Sequence, residues 1–413
     1  MNMHIEAVET LDRLDEIALD WDELYQADPS AHFYLSSGFM MAVAKRSQGK
    51  FRILIAWSEH HRCIGVLPLV VSLRWSKQHA CLYNVLDMLG HVFDADYTGI
   101  LCDPELEGPV CRAFASAIAD TSFGRLILNY FSGPAQRLDA FANAFDTKVF
   151  ERKKNQHLIN DGQTDNLICP FIDLPESFAA YLAALSANAR QKLKRLLRRL
   201  DDERSLKITR AQPETYAQDV KILSQLWYQK HAARKGEKRA AELAALFQDV
   251  VMLGLAAGSV YLVILWQDDT PVAAQASYLD MVKRHMLFHV SGRDAAFRDI
   301  SAGLALHAHS IRWAIANGMQ RYDFTLGNEA YKYSLGGVDR HIYSAEIVTK
   351  TGINTGSTLD PSGQKDVLKI IRQFVRKGRT EDSQTVAQQA LQTWPSLAPS
   401  GDVQSVIERA RRS

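Results

Sequence analysis

Two long apolar runs, each broken by a short polar turn, limit this chain more than any other feature. The first is "FRILIAWSEHHRCIGVLPLVVSLRW", beginning at Phe51. The second is "SVYLVILWQDDTPVAAQASYLDMVKRHMLFHVSG", beginning at Ser259. Runs of β-branched and aromatic residues between polar turns read as apolar strands. In the second, Val260–Trp266, Ala273–Leu279 and His285–Val290 are three strands, with turns at Gln267–Thr270 and at Lys283 and Arg284. Trp57 and Trp266 each end a strand before its turn. In each half a helix and a further strand follow: "PVCRAFASAIAD" then "GRLILNYF", and "AGLALHAHSIRWAIANG" then "QRYDFTL". The two halves read as a weak internal repeat.

The 413 residues suffice for two domains. Apolar content of 47%, charged content of 23% and a net charge of +1 suit a globular protein rather than one that coats nucleic acid. Cys63, Cys81, Cys102, Cys111 and Cys169 are widely spaced, with no C-x-x-C pair, so free thiols and no zinc site are expected. The acidic start "MNMHIEAVETLDRLDE" lacks the pattern of a secretory signal, and no run approaches the roughly 18 apolar residues of a membrane span. The expected location is the cytoplasm.

Between the halves, Phe178, Leu182, Leu185, Ala189, Leu193, Leu196 and Leu200 lie on one face of a predicted helix over 177–204. Its other face is strongly basic, with Arg190, Lys192, Lys194, Arg195, Arg198 and Arg199 within ten positions. Such a run is either the solvated face of a docking helix or a contact for a polyanion, such as coenzyme A phosphates, an RNA acceptor stem or anionic lipid. From 351 to 413, a Gly/Ser/Thr loop and the basic helix "KDVLKIIRQFVRKG" precede a polar tail, expected to be peripheral and partly disordered.

The chemistry concentrates between 285 and 332. A strand ending "FHVSG" leads through "RDAAFRDIS" to a helix starting near Ala302 and Gly303. Small residues and free N–H groups at a helix start make an anion site, and Arg293, Arg298 and Ser301 would join it. The next strand carries Asp323, for which Lys332 and Arg321 are natural partners, and Glu329, Tyr331 and Lys332 follow Gly327. A base, an acid and an anion anchor are the tools of acyl transfer. His307 and His309, two apart on a helix, do not share a face and make a poor metal pair. His289 and His231 are the better histidine candidates. Asp96 and Tyr97, with Asp94, lie on a loop of the first half from which they could reach a cleft.

The residues "YLVILWQDDTPVAAQASY" and "FHVSGRDAAFRDISAGLALHAHSIRWAIANGMQRYDFTLGNEAYKYSLG" resemble the C-terminal domain of the CelD-type, cellulose-biosynthesis-associated branch of the GNAT acyltransferase superfamily. Fem-type aminoacyl transferases are its relatives. The family's strand Asp, Gly, Glu and Tyr-Lys match Asp323, Gly327, Glu329, Tyr331 and Lys332, and "LWYQKHAARKG" matches its His and Arg before a Gly, at His231, Arg234 and Gly236. The resemblance covers about 10 to 348. The superfamily's pyrophosphate loop is reduced to "RDISAGLA", with one glycine.

The resemblance implies an α/β (α+β) protein of tandem GNAT-like domains, each a mixed, mostly antiparallel sheet flanked by helices. The expected boundaries are 1–170 for a degenerate first domain, 171–350 for the acyltransferase domain and 351–413 for the tail. An acyl-CoA, acetyl-CoA foremost, would be the co-substrate, without metal. It would lie along His289, Val290 and Ser291, with phosphates at Arg293, Arg298, Ser301, Ala302 and Gly303. Glu329 or Asp323, or else His231, would take the acceptor's proton, and Tyr331 would protonate the thiolate. Arg234, Lys332, Asp96 and Tyr97 would bind an acceptor amine or hydroxyl on a polysaccharide or envelope precursor. Two other readings are transfer from aminoacyl-tRNA or an acyl-carrier protein, and an idle module that binds an acyl thioester. DNA is not an expected partner.

Overall fold

Six successive residues, Val260 to Leu265, are buried in one strand, which is therefore covered on both faces. Around such strands the computed structural model, which describes residues 3–93 and 95–397, forms two compact units. One comprises 1–156 and 342–413, and the other 157–341. Asp94 and residues 398–413 lie outside the described residues, so the expected disorder of the far tail finds no description here.

In chain order the first unit contains β1 (Met3–Val8), α1 (Leu11–Glu16), α2 (Ala18–Ala27), α3 (Ser37–Arg46), β2 (Phe51–Ser58), β3 (Cys63–Ser76), β4 (Cys81–Met88) and β5 (Leu101–Cys102). It continues with α4 (Glu107–Ala119), β6 (Arg125–Phe131), α5 (Ala135–Ala142) and β7 (Phe150–Lys154). The second unit contains β8 (Leu158–Ile159), β9 (Thr164–Asp165), β10 (Phe171–Asp173), α6 (Phe178–Ala184), α7 (Ala187–Asp202), β11 (Leu206–Arg210), α8 (Tyr216–Lys235) and α9 (Glu237–Ala256). Then come β12 (Val260–Gln267), β13 (Thr270–Asp280), β14 (His285–Arg293), α10 (Ala302–Ala316), β15 (Arg321–Asp323) and α11 (Ala330–Ser334). The chain re-enters the first unit with β16 (Tyr343–Thr349), α12 (Gln364–Arg376) and α13 (Thr380–Thr393).

The internal repeat is a repeat of topology. The first sheet runs β1-β2-β3-β4-β6-β16-β7, with β5 beside β3, and the second runs β10-β15-β14-β13-β12-β11. In each, four antiparallel strands are followed by a helical crossover, α4 or α10, and then by the sheet's parallel pair, β4 with β6 or β14 with β15. An antiparallel strand then flanks the pair: β16 beside β6, and β10 beside β15. The flanking strand of the first sheet thus comes from late in the chain, after the second unit is complete.

The predicted basic helix over 177–204 is two helices. Leu185 is extended, and Ser186 turns its hydroxyl to accept from the Ala189 N–H, which restarts the helix as α7. The apolar face still packs inward, with Leu193, Leu196 and Leu197 in the core of the second unit. The described part of the tail is folded: Val367, Ile371 and Phe374 of α12 and Val386, Ala387 and Ala390 of α13 pack with Leu73, Leu82 and Leu359. All five cysteines are free thiols.

Helix α8 lies directly on β14 because Gly292 leaves room for it. A Cβ there would stand 2.3 Å from the Trp227 nitrogen and 2.6 Å from the Leu226 carbonyl carbon. These are backbone atoms that no rotamer change can move. The substitution Gly292→Ala is therefore expected to lower stability by about 1–3 kcal/mol, read as a fall in the urea midpoint.

Candidate functional site

The parallel strands of the second unit part soon after they meet. They pair at His285–Arg321, Met286–Tyr322 and Leu287–Asp323, and no further. On the opposite side of β14, Ser277 faces Phe288 and Ala276 faces Val290, so His289 is the extra residue of a β-bulge. The parting follows from Asp323. One carboxylate oxygen accepts from the Thr325 N–H at 2.8 Å, and the other accepts from Arg340 at 2.7 Å. The first bond is an Asx turn, which bends the chain two residues on. Thr325 takes φ +56°, a strained value for a β-branched residue, and its hydroxyl donates to the Phe288 carbonyl at 3.0 Å. Asp323 thus pairs with Arg340, not with Lys332 or Arg321, while Arg321 bonds Asp173 at 2.8 Å.

Lys332 holds the loop that follows. Its ammonium is buried and donates to the Leu326 carbonyl at 2.6 Å and the Gly327 carbonyl at 2.7 Å, with the Glu329 carboxylate 3.0 Å away. All three partners lie within six residues, so Lys332, expected from sequence to anchor an anion, clamps this loop. Glu329 is held at its rim, with its side chain 36% exposed. Asn328 fixes the loop from outside by accepting from the Asp165 N–H of β9 at 2.8 Å.

Behind the parting lies a layer of aromatic and polar groups. His307 is buried, with Nδ1 2.8 Å from the Tyr322 hydroxyl, and Gln275 donates to the same hydroxyl at 3.0 Å. Tyr331 stacks on His307 at 5.2 Å and 28°. The rings of Phe288 and Phe324 meet it edge-on at 4.8 and 5.4 Å. Burial, and then the charges of Lys332 and Lys230, push the His307 pKa down to about 3, so the ring is neutral. Burial and then Glu329 push the Tyr331 pKa up, which keeps its proton on the phenol.

Cations gather at the end of α8. Lys230 is reachable by solvent yet crowded by protein; lost hydration, then Arg293 and Arg234, lower its pKa, while Glu329 opposes them. His231 packs on Trp227 at 4.6 Å, and burial followed by Lys230 and Arg234 brings its pKa to about 4. Arg234 donates to Asn160 at 2.5 Å and lies 3.3 Å from His231 Nδ1. The fields that reach Lys230 therefore tie together Glu329, Arg234 and Arg293 from three segments of the sequence.

The other expected donor residues follow β14. Val290 is buried, Ser291 is half-buried, and Arg293 and Arg298 are exposed. His289 packs against Tyr278 at 4.9 Å and Phe247 at 5.8 Å. Ser301 precedes α10 without a side-chain cap, Ala302 is buried, and no atom lies within 4 Å of a Cβ placed on Gly303. Asp96 and Tyr97 belong to the first unit. There Asp96 accepts from the Tyr34 hydroxyl at 2.7 Å, and Tyr97 is fully buried against His32 and Tyr34 rather than set on a surface to bind an acceptor.

Sequence reasoning passed over Lys230, Gln275 and Thr325, and weighed His307 only as a metal ligand. A signal for His307 was present: with Leu304, Ala308 and Ile311 it falls on the buried stripe of α10. Lys230 adjoins His231 in the matched motif, but a lysine on a long helix has no signature of its own. Among the described residues no group of three His, Cys, Asp or Glu side chains is placed to hold a metal ion. Among them also, no helix is long and apolar enough to cross a membrane.

Residues 187–333 match the family described as acetyltransferase (GNAT) domain. That span contains α7 and every element from β11 to β15, with the site residues from Lys230 to Lys332. No curated protein is significantly similar to this chain in sequence. Among solved structures, FemX is 9% identical with a TM-score of 0.56, over 83% of this chain and 96% of that one. A tandem GNAT protein from the clavulanic acid biosynthesis pathway is 13% identical with a TM-score of 0.47, over 84% and 98% of the two chains. L-PGS from Bacillus licheniformis is 11% identical with a TM-score of 0.44, over 82% and 91%. The stretch from α7 to β15 is thus similar in sequence to an acetyltransferase (GNAT) domain, and the chain shares the fold of FemX.

The histidines make stability depend on pH. Burial holds His231, His285 and His309 near a pKa of about 4 and His307 near about 3, below the ordinary 6.5. As pH falls below 6.5 the unfolded chain takes up protons that the folded chain refuses, so stability is full above that value and declines down to about 3. The urea midpoint is expected to be lower at pH 5 than at pH 7, and His307→Gln should flatten that slope.

Proposed function

We propose that this protein is an acyltransferase of the CelD-type branch, which moves an acyl group, acetyl foremost, from a CoA thioester to an amine or hydroxyl of a saccharide or envelope precursor. The observation that carries this reading is the parting of β14 and β15 beyond Leu287 and Asp323, inside the segment that matches the acetyltransferase domain. A strand that has lost its neighbour presents backbone N–H groups along one edge, and such groups can hold a thioester carbonyl and stabilise the charge that develops on it.

In this reading the acyl-pantetheine arm lies along His289, Val290 and Ser291. Its phosphates meet Arg293, Arg298 and the uncapped start of α10 at Ser301, Ala302 and Gly303. Glu329 takes the proton of the acceptor as nitrogen or oxygen attacks the carbonyl carbon. The C–S bond then breaks, and Tyr331 gives its phenolic proton to the departing thiolate. Asp323 is committed to Thr325 and Arg340, which supports a positioning role in place of the base role. Neutral His231 is the other candidate base, and Arg234 with Lys230 would hold negative charge on a substrate.

A second reading rests on α7. Lys192, Lys194, Arg195 and Arg198 are exposed there, and among the described residues only Arg199 of the basic run pairs with a carboxylate, Glu203. A donor carried on tRNA would find phosphate contacts on that stripe, and its affinity would fall steeply with salt. An idle thioester-binding module is disfavoured by the exposure of Glu329 and by the space beside Gly303.

Calorimetric titration with acetyl-CoA and with a long-chain acyl-CoA tests the first reading. Saturable micromolar binding, lost in the Arg293→Ala, Arg298→Ala double variant, is expected. Binding to neither thioester would exclude a CoA donor. With an acceptor in hand, Glu329→Gln and Tyr331→Phe should each lower kcat by about 10²–10⁴, and full activity in both would remove them from the mechanism.

A further inference from the structure

One buried chain of polar groups has no role in the acyl-transfer scheme. It begins at Gln275 in β13, whose side-chain amide donates to Ser310 Oγ at 3.1 Å and to the Tyr322 hydroxyl at 3.0 Å. This orientation uses both amide hydrogens and leaves only the carbonyl oxygen without a partner. The reverse orientation would strand two N–H groups in the core, which costs more than one spare acceptor. The Tyr322 oxygen thus accepts a hydrogen bond and still has its own proton to give. Nδ1 of His307, 2.8 Å away, is placed to accept it. An imidazole that accepts at Nδ1 while neutral carries its proton at Nε2.

The place of that ring adds the second observation. His307 is 3% exposed, and its Nε2 has no hydrogen bond to the protein. Its ring touches Phe288, Phe324 and Tyr331, the residues around the parting of β14 and β15. Phe288 is also the residue whose carbonyl accepts the Thr325 hydroxyl, where β14 loses its neighbour. An N–H that finds no acceptor in the protein at such a point can complete its hydrogen bond on the oxygen of a ligand.

We propose that the Gln275–Tyr322 relay fixes His307 as the Nε2–H tautomer, and that His307 thereby gives the bound acyl group a neutral side-chain hydrogen bond at its carbonyl oxygen. The inference rests on the acyl-transfer reading for its second half only; the tautomer stands on the buried chain alone. No proton leaves His307 in this role. Its N–H bonds the carbonyl oxygen in the ground state and more strongly as that oxygen gains negative charge. A neutral donor also adds no positive charge beside an acceptor amine that must lose its proton.

Two readouts, neither of which needs the acceptor, test it on the full chain. Long-range nitrogen–proton correlation spectra of isotope-labelled protein, with His307 assigned from the His307→Gln variant, report the tautomer over about pH 5 to 8. The Nε2–H pattern is expected throughout, and Tyr322→Phe should release it to a mixture. An Nδ1–H pattern in the native protein would overturn the relay. Isotope-edited infrared spectra of bound acetyl-CoA, labelled at its carbonyl, report the hydrogen bond. The band should lie below that of free ligand, return toward it in His307→Phe, and be partly restored in His307→Gln. Affinity should fall by less than about tenfold. An unchanged band in His307→Phe, with Tyr322→Phe checked in case that variant does not fold, would overturn the donor role. An Nε2–H tautomer in a protein that binds no acetyl-CoA would leave the relay standing and overturn both the donor role and the thioester reading.

Discussion

The grip of Asp323 on its two partners shapes the second unit. One oxygen holds the Thr325 N–H, the other holds Arg340, and between them they turn β15 away from β14 after three residue pairs. Everything proposed for the site depends on that turn. It leaves β14 without a strand partner on that side beyond Leu287, sends Thr325 to brace Phe288, and starts the loop that Lys332 clamps by its carbonyls. A buried carboxylate with only one of these partners would be a cost to the fold; with both it fixes a backbone conformation that Thr325 would not adopt alone.

Charge around the parting is unevenly spread. Lys230 feels the charges of Arg234 and Arg293 and, opposing them, that of Glu329, whose carboxylate is held 3.0 Å from the Lys332 ammonium. The histidines do not add to the positive field, because burial and neighbouring cations hold His231 and His307 neutral. Such an arrangement suits an anionic donor and an acceptor that must surrender a proton.

Much of this was legible in the sequence. The apolar runs at 51–75 and 259–292 showed their strands, because short β-branched and aromatic runs between polar turns are too brief for a buried helix. The motif from Asp323 to Lys332 marked the right place, but not the division of labour within it. A buried lysine and an exposed one read alike, and which acid an arginine meets is decided by a partner seventeen positions away at Arg340. The break at Ser186 was hidden because the apolar spacing continues through it. Strand β16 joins the first sheet from beyond the second unit, a long-range pairing that local periodicity cannot report. Tyr97 read as a loop residue, and its complete burial against His32 and Tyr34 follows from packing alone.

Amide hydrogen exchange along β14, with and without acetyl-CoA, addresses the central claim most directly. The account predicts that the ligand slows exchange at residues 288–292 and at the start of α10, residues 302–304, because it takes the place of the neighbour that β14 has lost. Unchanged exchange over these residues under saturating ligand, with protection elsewhere, would contradict it.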